Sequence, residues 1–289
     1  MMKSKPSLKI LARPALLLIS VVSIILLSGC SSKIEPTYKE KDIPYLIKKI
    51  CKEEYSLDVT TQRAGSTIWI YAPLNKILHK DYGVKEDKVF DEEVMGKMRN
   101  IITTIGRVLI SSDNTPDFFV FLASDIKLGI DYTMIGSVLD IKKSYADFIP
   151  WTEANRRFVN RFKASPEAIG DTTGFHFVPY DIKTEDFLTE QIAQRIGARF
   201  QDEELKSYFK IDKSEGKFSD GVFSFAYSIT QTAKPKKPVA IQNEALKIIS
   251  YCLKTYEFTG FSGVSLTDLN TQNKLDLNKK ALLTQPSGL

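Results

Sequence analysis

The chain has 289 residues, with 40 Lys and Arg against 35 Asp and Glu, two His, three Cys and 43% hydrophobic residues. The formal charge of +5 is concentrated in residues 1–29, which hold four bases and no acid, so residues 30–289 carry 36 bases against 35 acids. A near-neutral chain of that length holds a sizeable core and lacks the basic excess that nucleic acid or an anionic surface calls for.

In chain order, Lys3, Lys5, Lys9 and Arg13 form a basic leader. A charge-free apolar run over 15–27 follows, interrupted by Ser20 and Ser23, and small residues then lead into Cys30. Charge, apolar run and small residues in that order read as an export signal. Its length of 13 residues falls short of the roughly 20 that a membrane-spanning helix needs. The ending Leu27-Ser28-Gly29-Cys30 resembles the lipobox of bacterial lipoprotein precursors. That resemblance implies a diacylglycerol on the Cys30 sulfur, cleavage before Cys30, and acylation of the new amino terminus. It also implies residence in the cell envelope, with the membrane as partner through the lipid. Because Ser31 rather than Asp follows the cysteine, the resemblance points to the periplasmic side of an outer membrane in a diderm, and otherwise to the outer face of the plasma membrane. Residues 31–41 are polar and aperiodic and read as a tether.

The domain is expected to begin with a helix over 43–55, striped by Leu46, Ile47, Ile50 and Cys51. Strands over 56–63 and 67–71 turn through Ala64-Gly65-Ser66. His79 reads as a helix-surface residue after Leu74, Ile77 and Leu78. A long helix capped by Asp91 or Asp87 carries Phe90, Val94, Met98, Ile101, Ile105 and Val108 on its buried stripe. Residues 118–122 are a buried strand, with 132–138 as its partner. The first half, 42–139, thus reads αββαββ.

Residues 140–180 read as a connection. Within it, a helix from Thr152 is expected to carry Arg156, Arg157, Arg161 and Lys163. These bases suit an acidic partner or a lipid head group, although such spacing also describes a solvated face. Trp151 beside Pro150, and Trp69 with Tyr71, suit interface anchors or core packing. Residues 170–176 place Asp171 and His176 in a glycine-bounded loop, the best catalytic candidate in the chain. The same letters describe a turn into a strand over 176–181.

The second half, 181–289, is expected to repeat the order. A helix over 185–208 capped by Thr184 leads to a strand over 209–212, a turn at 213–216 and a strand over 222–229. A helix over 245–256 and a hairpin of 264–266 with 275–277 complete it. The fold class expected is α+β, with two αββαββ halves, antiparallel sheets and a connecting helical segment. Cys51 and Cys252 each sit on a core-facing stripe and are expected to be buried thiols, a disulfide being the other reading.

No zinc motif, phosphate loop or nucleophile elbow occurs, so no metal and no cofactor is expected. The reading is a lipid-anchored envelope protein with a binding or structural role, an envelope protein as partner, and no nucleic acid. The second reading is a small-ligand or lipid carrier using the aromatic face of 222–229. The third is an envelope-polymer hydrolase built on Asp171 and His176.

Overall fold

The computed structural model describes residues 36–82, 89–164 and 177–284. After a 3-10 turn at Glu40–Asp42, the elements are α1 (Ile43–Tyr55), β1 (Thr60–Ala64), β2 (Thr67–Pro73), α2 (Glu92–Ile110), β3 (Phe118–Asp125) and β4 (Ile130–Ser137). Then come α3 (Val138–Tyr145), α4 (Trp151–Arg156), β5 (Val159–Ala164) and α5 (Thr184–Arg199). The chain continues with β6 (Phe209–Ser219), β7 (Val222–Gln231), α6 (Ile241–Thr255), β8 (Gly263–Asp268), β9 (Lys274–Asn278) and α7 (Lys279–Leu283).

The fold is α+β, and the αββαββ order occurs twice. Strands β1–β2–β3–β4–β5 form one sheet and β6–β7–β8–β9 the other, each in sequence order. Where antiparallel sheets were expected, both sheets are mixed. The pairs β2·β3 and β7·β8 are parallel and all the others antiparallel. The cause is the connection: a whole helix, α2 or α6, lies between the parallel strands, and a crossover of that length returns the chain in the same direction.

Each helix has a local reason. Asp91, not Asp87, caps α2: its Oδ1 accepts from the backbone N–H of Glu93 (3.0 Å) and Val94 (3.3 Å), with Glu92 and Glu93 in the positive first turn. Pro44 sits in the first turn of α1, where no N–H is needed. Helix α5 stops at Arg199 rather than Tyr208, and 200–208 form turns.

Two cores divide the interior. Helices α1 and α2 cover one face of the first sheet, burying Ile47, Met98, Ile101, Ile105, Ile68, Ile70, Phe119 and Phe121 together. The other face of that sheet, with Trp69, Phe118, Val120, Ile135 and Val159, packs into the second core. That core also contains α5, α6 and Phe223, Phe225, Tyr227 and Ile229 of β7. The layers therefore run helix, sheet, helix, sheet within Tyr38–Leu289, a single compact unit. Helix α5 lies between two sheets, and its sides carry Phe187, Leu188, Ile192, Ala193 and Ile196, all buried. Cys51 and Cys252 are buried free thiols, and burial pushes Cys252 up to about 12.

Three expected details are corrected. The expected turn at 213–216 lies inside β6, which passes a bulge at Asp212 and turns at Asp220-Gly221. Both turn residues have positive φ (53° and 75°), the backbone that Asp-Gly supplies in a two-residue hairpin. Gly216 stays in the strand because a Cβ there would meet Thr189 Cγ2 at 2.8 Å and the Phe225 ring at 2.9 Å. His79 is not helical; its Nδ1 accepts from the Asp81 N–H (3.0 Å) in the loop before α2. Phe90 precedes α2 rather than joining its stripe, and bridges to Leu78.

Candidate functional site

The helix expected to carry four bases ends at Arg156, and Arg161 and Lys163 stand on β5 instead. The run Phe158-Val159 with alternate residues beyond it favours a strand, which pairs with β4 and completes the first sheet. The bases therefore diverge. Arg156 is exposed and reaches Asp202 (3.4 Å). Arg157 turns inward, with a side chain only 5% exposed.

Arg157 is the centre of a joint between the halves. Its Nη1 donates to Asp140 Oδ1 (2.7 Å) on α3, its Nε to Glu153 Oε1 (2.9 Å) on α4, and its Nη2 to the Tyr251 hydroxyl (2.8 Å) on α6. Arg195 of α5 also donates to Glu153 (3.0 Å), and the Tyr256 hydroxyl donates to Asp140 Oδ2. Gln191 of α5 donates to the Arg157 carbonyl (2.6 Å) and to the Tyr256 hydroxyl (2.8 Å). Burial pushes Glu153 up, but Arg195 and Arg157 override it and hold the carboxyl below its ordinary value. Burial and Asp140 both push the Tyr256 hydroxyl upward. Each charge has a partner, as burial demands. Arg157 thus serves as an internal clamp rather than the interface residue the sequence suggested.

Arg161 lines a cleft of about 290 Å³ between the two sheets, with Tyr180, Asp186, Glu190 and Lys217 among its walls. It pairs with Glu190 bidentately along one guanidinium edge, Nε donating to Oε2 at 2.6 Å and Nη2 to Oε1. Burial, then Glu185 and Glu190, hold the Asp186 carboxyl above its usual range. The cleft is small, and its one arginine is already neutralised by Glu190.

The broader opening, about 630 Å³, is a shallow depression on the outer face of the second sheet, lined by Ser224, Ser265, Thr267, Lys274, Asp276 and Asn278. This face is solvated because β7 alternates: Phe223, Phe225, Tyr227 and Ile229 point into the core while Ser224, Ala226 and Ser228 point out. The aromatic face expected to line a carrier's cavity is therefore filled by side-chain packing. Trp69 and Tyr71 are likewise internal, against Phe177 and Tyr180, and not surface anchors.

At the margin of that face lies β9, an edge strand paired only with β8. Lys279 N–H donates to Ser262 O and Asp268 N–H to Asn273 O, both at 2.9 Å. These bonds fix the phase of the antiparallel ladder, in which bonded and unbonded pairs alternate. The bonded residues of β9 are Leu275 and Leu277, so the backbone groups of Lys274, Asp276 and Asn278 face away from β8. Asp276 is held ionised by Ser265 and Lys274, which lower its carboxyl below the ordinary range. The other sheet treats its edge differently. The N–H of Asn160 on β5 donates to Gln194 Oε1 (3.0 Å), and Gln194 Nε2 donates to the Asn160 carbonyl (2.9 Å). One amide side chain thus occupies that edge like a short strand.

Asp171, His176 and Cys30 lie outside the described residues. Among the described residues, no group of three or more His, Cys, Asp and Glu is placed to hold a metal ion, and no helix is long and apolar enough to cross a membrane. Trp151, the remaining expected interface residue, is 41% exposed at the start of α4. Comparisons with protein-family models, curated proteins and solved structures found no match to this chain. Sequence reading missed the β9 edge, whose signal is the ladder phase set by the hairpin turn, and missed the Arg157 joint, which depends on contacts 94 residues apart.

Proposed function

We propose that this chain is an exported envelope lipoprotein, held to a membrane through acylated Cys30, that acts by binding a protein partner rather than by catalysis. The partner adds an extended segment to the outer edge of β9. The observation that carries this reading is the outward-facing backbone of Lys274, Asp276 and Asn278 beside a solvated sheet face. Strand addition takes its affinity from such main-chain groups and its selectivity from flanking side chains. Here the flanking set is Lys274 and Asp276, in contact at 3.1 Å.

Asp276→Pro tests it. Proline removes an outward N–H and spares the bonds to β8, so the fold survives while strand addition is blocked. Crosslinking and pulldown from detergent-solubilised envelope should recover a partner with the wild type and lose it with the variant. Recovery of the wild type as a bare monomer, or equal capture by both chains, counts against the reading.

A further inference from the structure

We propose that the corner between α3 and α4 is a second membrane contact, in which Tyr145, Phe148 and Trp151 seat in the interfacial layer of the bilayer. The proposal rests on the lipoprotein reading of Cys30 for the presence of that bilayer.

The corner is built to present aromatic surface. Helix α3 ends with Asp147 in the left-handed region (φ 58°). The Phe148 N–H donates to the Lys143 carbonyl (2.8 Å) and the Asp147 N–H to the Ser144 carbonyl (3.2 Å). These are the two bonds of a Schellman cap, whose following residue ordinarily packs back on the last turn. Here that turn offers Lys143, no apolar neighbour, and Phe148 stands 80% exposed. Pro150 then caps α4 and fixes Trp151 at its first position. The Trp151 ring meets that of Tyr145 edge-on, with centroids 5.2 Å apart. Tyr145 in turn rests on α2 at Gly106, where a Cβ would lie 2.6 Å from its ring. The aromatic group is rigid, exposed and amphipathic, the composition that favours the boundary between head groups and acyl chains.

The place where the chain enters the domain selects a bilayer over a protein. Tyr38 is bonded to the end of α2: its N–H donates to the Ser111 carbonyl and its carbonyl accepts from the Asp113 N–H, both at 3.0 Å. Gly106, under Tyr145, is five residues before Ser111, about 7.5 Å of helix rise. Lys142 of α3 also reaches Thr115 just beyond (3.0 Å). The corner and the entry of the tether therefore share one end of α2. Tyr38 is eight residue steps after Cys30, a reach of at most about 26–29 Å, so an anchored domain holds this corner within reach of the bilayer. Asp140 and Glu153 are bound internally by Arg157, which leaves Asp147 as the exposed carboxylate of the corner, with Lys142 and Lys143 on the preceding turn to offset it.

The test supplies the anchor independently of the cell. The chain from Cys30 to Leu289 is coupled through the Cys30 thiol to maleimide-headgroup lipid in phosphatidylcholine vesicles brominated in their acyl chains. Cys51 and Cys252, both buried, do not compete. Of the two tryptophans, Trp69 is buried and serves as the internal reference, while Trp151 reports the bilayer. Loss of roughly half the emission is expected, since interfacial tryptophan lies beside the acyl chains. Phe148→Asp and the milder Phe148→Ser should restore most of that emission without changing thermal unfolding. Undiminished Trp151 emission in the coupled wild type overturns the proposal, as does protection of Trp151 by self-association of the protein. The lipoprotein reading fails separately, if the chain isolated from cells carries no acyl mass.

Discussion

The two αββαββ halves share strand order and pairing but not their relation to water. The first sheet is covered on both faces, by α1 and α2 on one side and by α5 and α6 on the other, and β2 and β3 are buried along almost their whole length. The second sheet is covered on one face only, and β7 alternates between core aromatics and outward serine and alanine. One architecture thus yields a sheet buried on both faces in the first half and a sheet wet on one face in the second, and the difference is written in strand periodicity. Continuous apolar strands mark a central layer, alternating ones an outer layer.

The largest effect should come from breaking the joint that holds the halves in this order. Arg157→Ala leaves Asp140 buried at 1% exposure without its cation, while Glu153 keeps Arg195. Removing one partner of a buried pair costs about 3–5 kcal/mol. Urea unfolding should show that loss as a lowered midpoint of one transition, since the second core is shared by both halves. A loss below about 1 kcal/mol would mean that apolar packing alone joins them.

The contrast between the sheets is sharpened by reversing one residue on each. Val120 of β3 is fully buried on the shared face of the first sheet, and Val120→Ser should cost about 2–4 kcal/mol through lost burial and an unpaired hydroxyl. Ser224 points to solvent from β7, and Ser224→Val should stay within about 0.5 kcal/mol of wild type. Denaturation midpoints measure both. Comparable losses at the two sites would show that the outer face of the second sheet is covered.

The same periodicity explains which parts of the fold were legible in sequence. Helix α1 and the stripe of α2 were readable because each has one wet side. β7 was readable because its aromatics recur every second residue. The full length of β6 was not, because Lys213-Ser214-Glu215-Gly216 has the composition of a turn. Only the contact of Gly216 with Thr189 and Phe225 shows why a glycine is needed inside a strand. Asp220-Gly221, four residues later, carried the hairpin signal. The helix signal at Thr152-Glu153-Ala154-Asn155 is real but short, and extending it to Arg161 and Lys163 overlooks the apolar pair Phe158-Val159 that opens β5. The buried role of Arg157 had no local signal, since its partners Asp140 and Tyr251 come from α3 and α6.

The smallest expected effect lies in the cleft between the two sheets. Asp186, in the first turn of α5, faces Glu185 and Glu190, with Arg161 and Lys183 as the cations nearby. Burial first, and then the two glutamates, raise its carboxyl above the ordinary 3.8. An acid raised in the folded state is penalised wherever it is charged in both states. That penalty is complete at neutral pH and fades as pH falls through the folded value toward 3.8. Glu153 has the opposite sign: its lowered carboxyl contributes stability above the ordinary 4.5, and that contribution is lost as pH drops below it. Asp186→Asn should therefore raise Tm slightly at pH 7, on the order of a degree or two, with the gain shrinking as pH approaches 3.8. Thermal melts of both chains across that range provide the measurement. A gain that persists unchanged at pH 3.8 would place its origin outside the charge of Asp186, and the cleft would then be electrostatically neutral to folding.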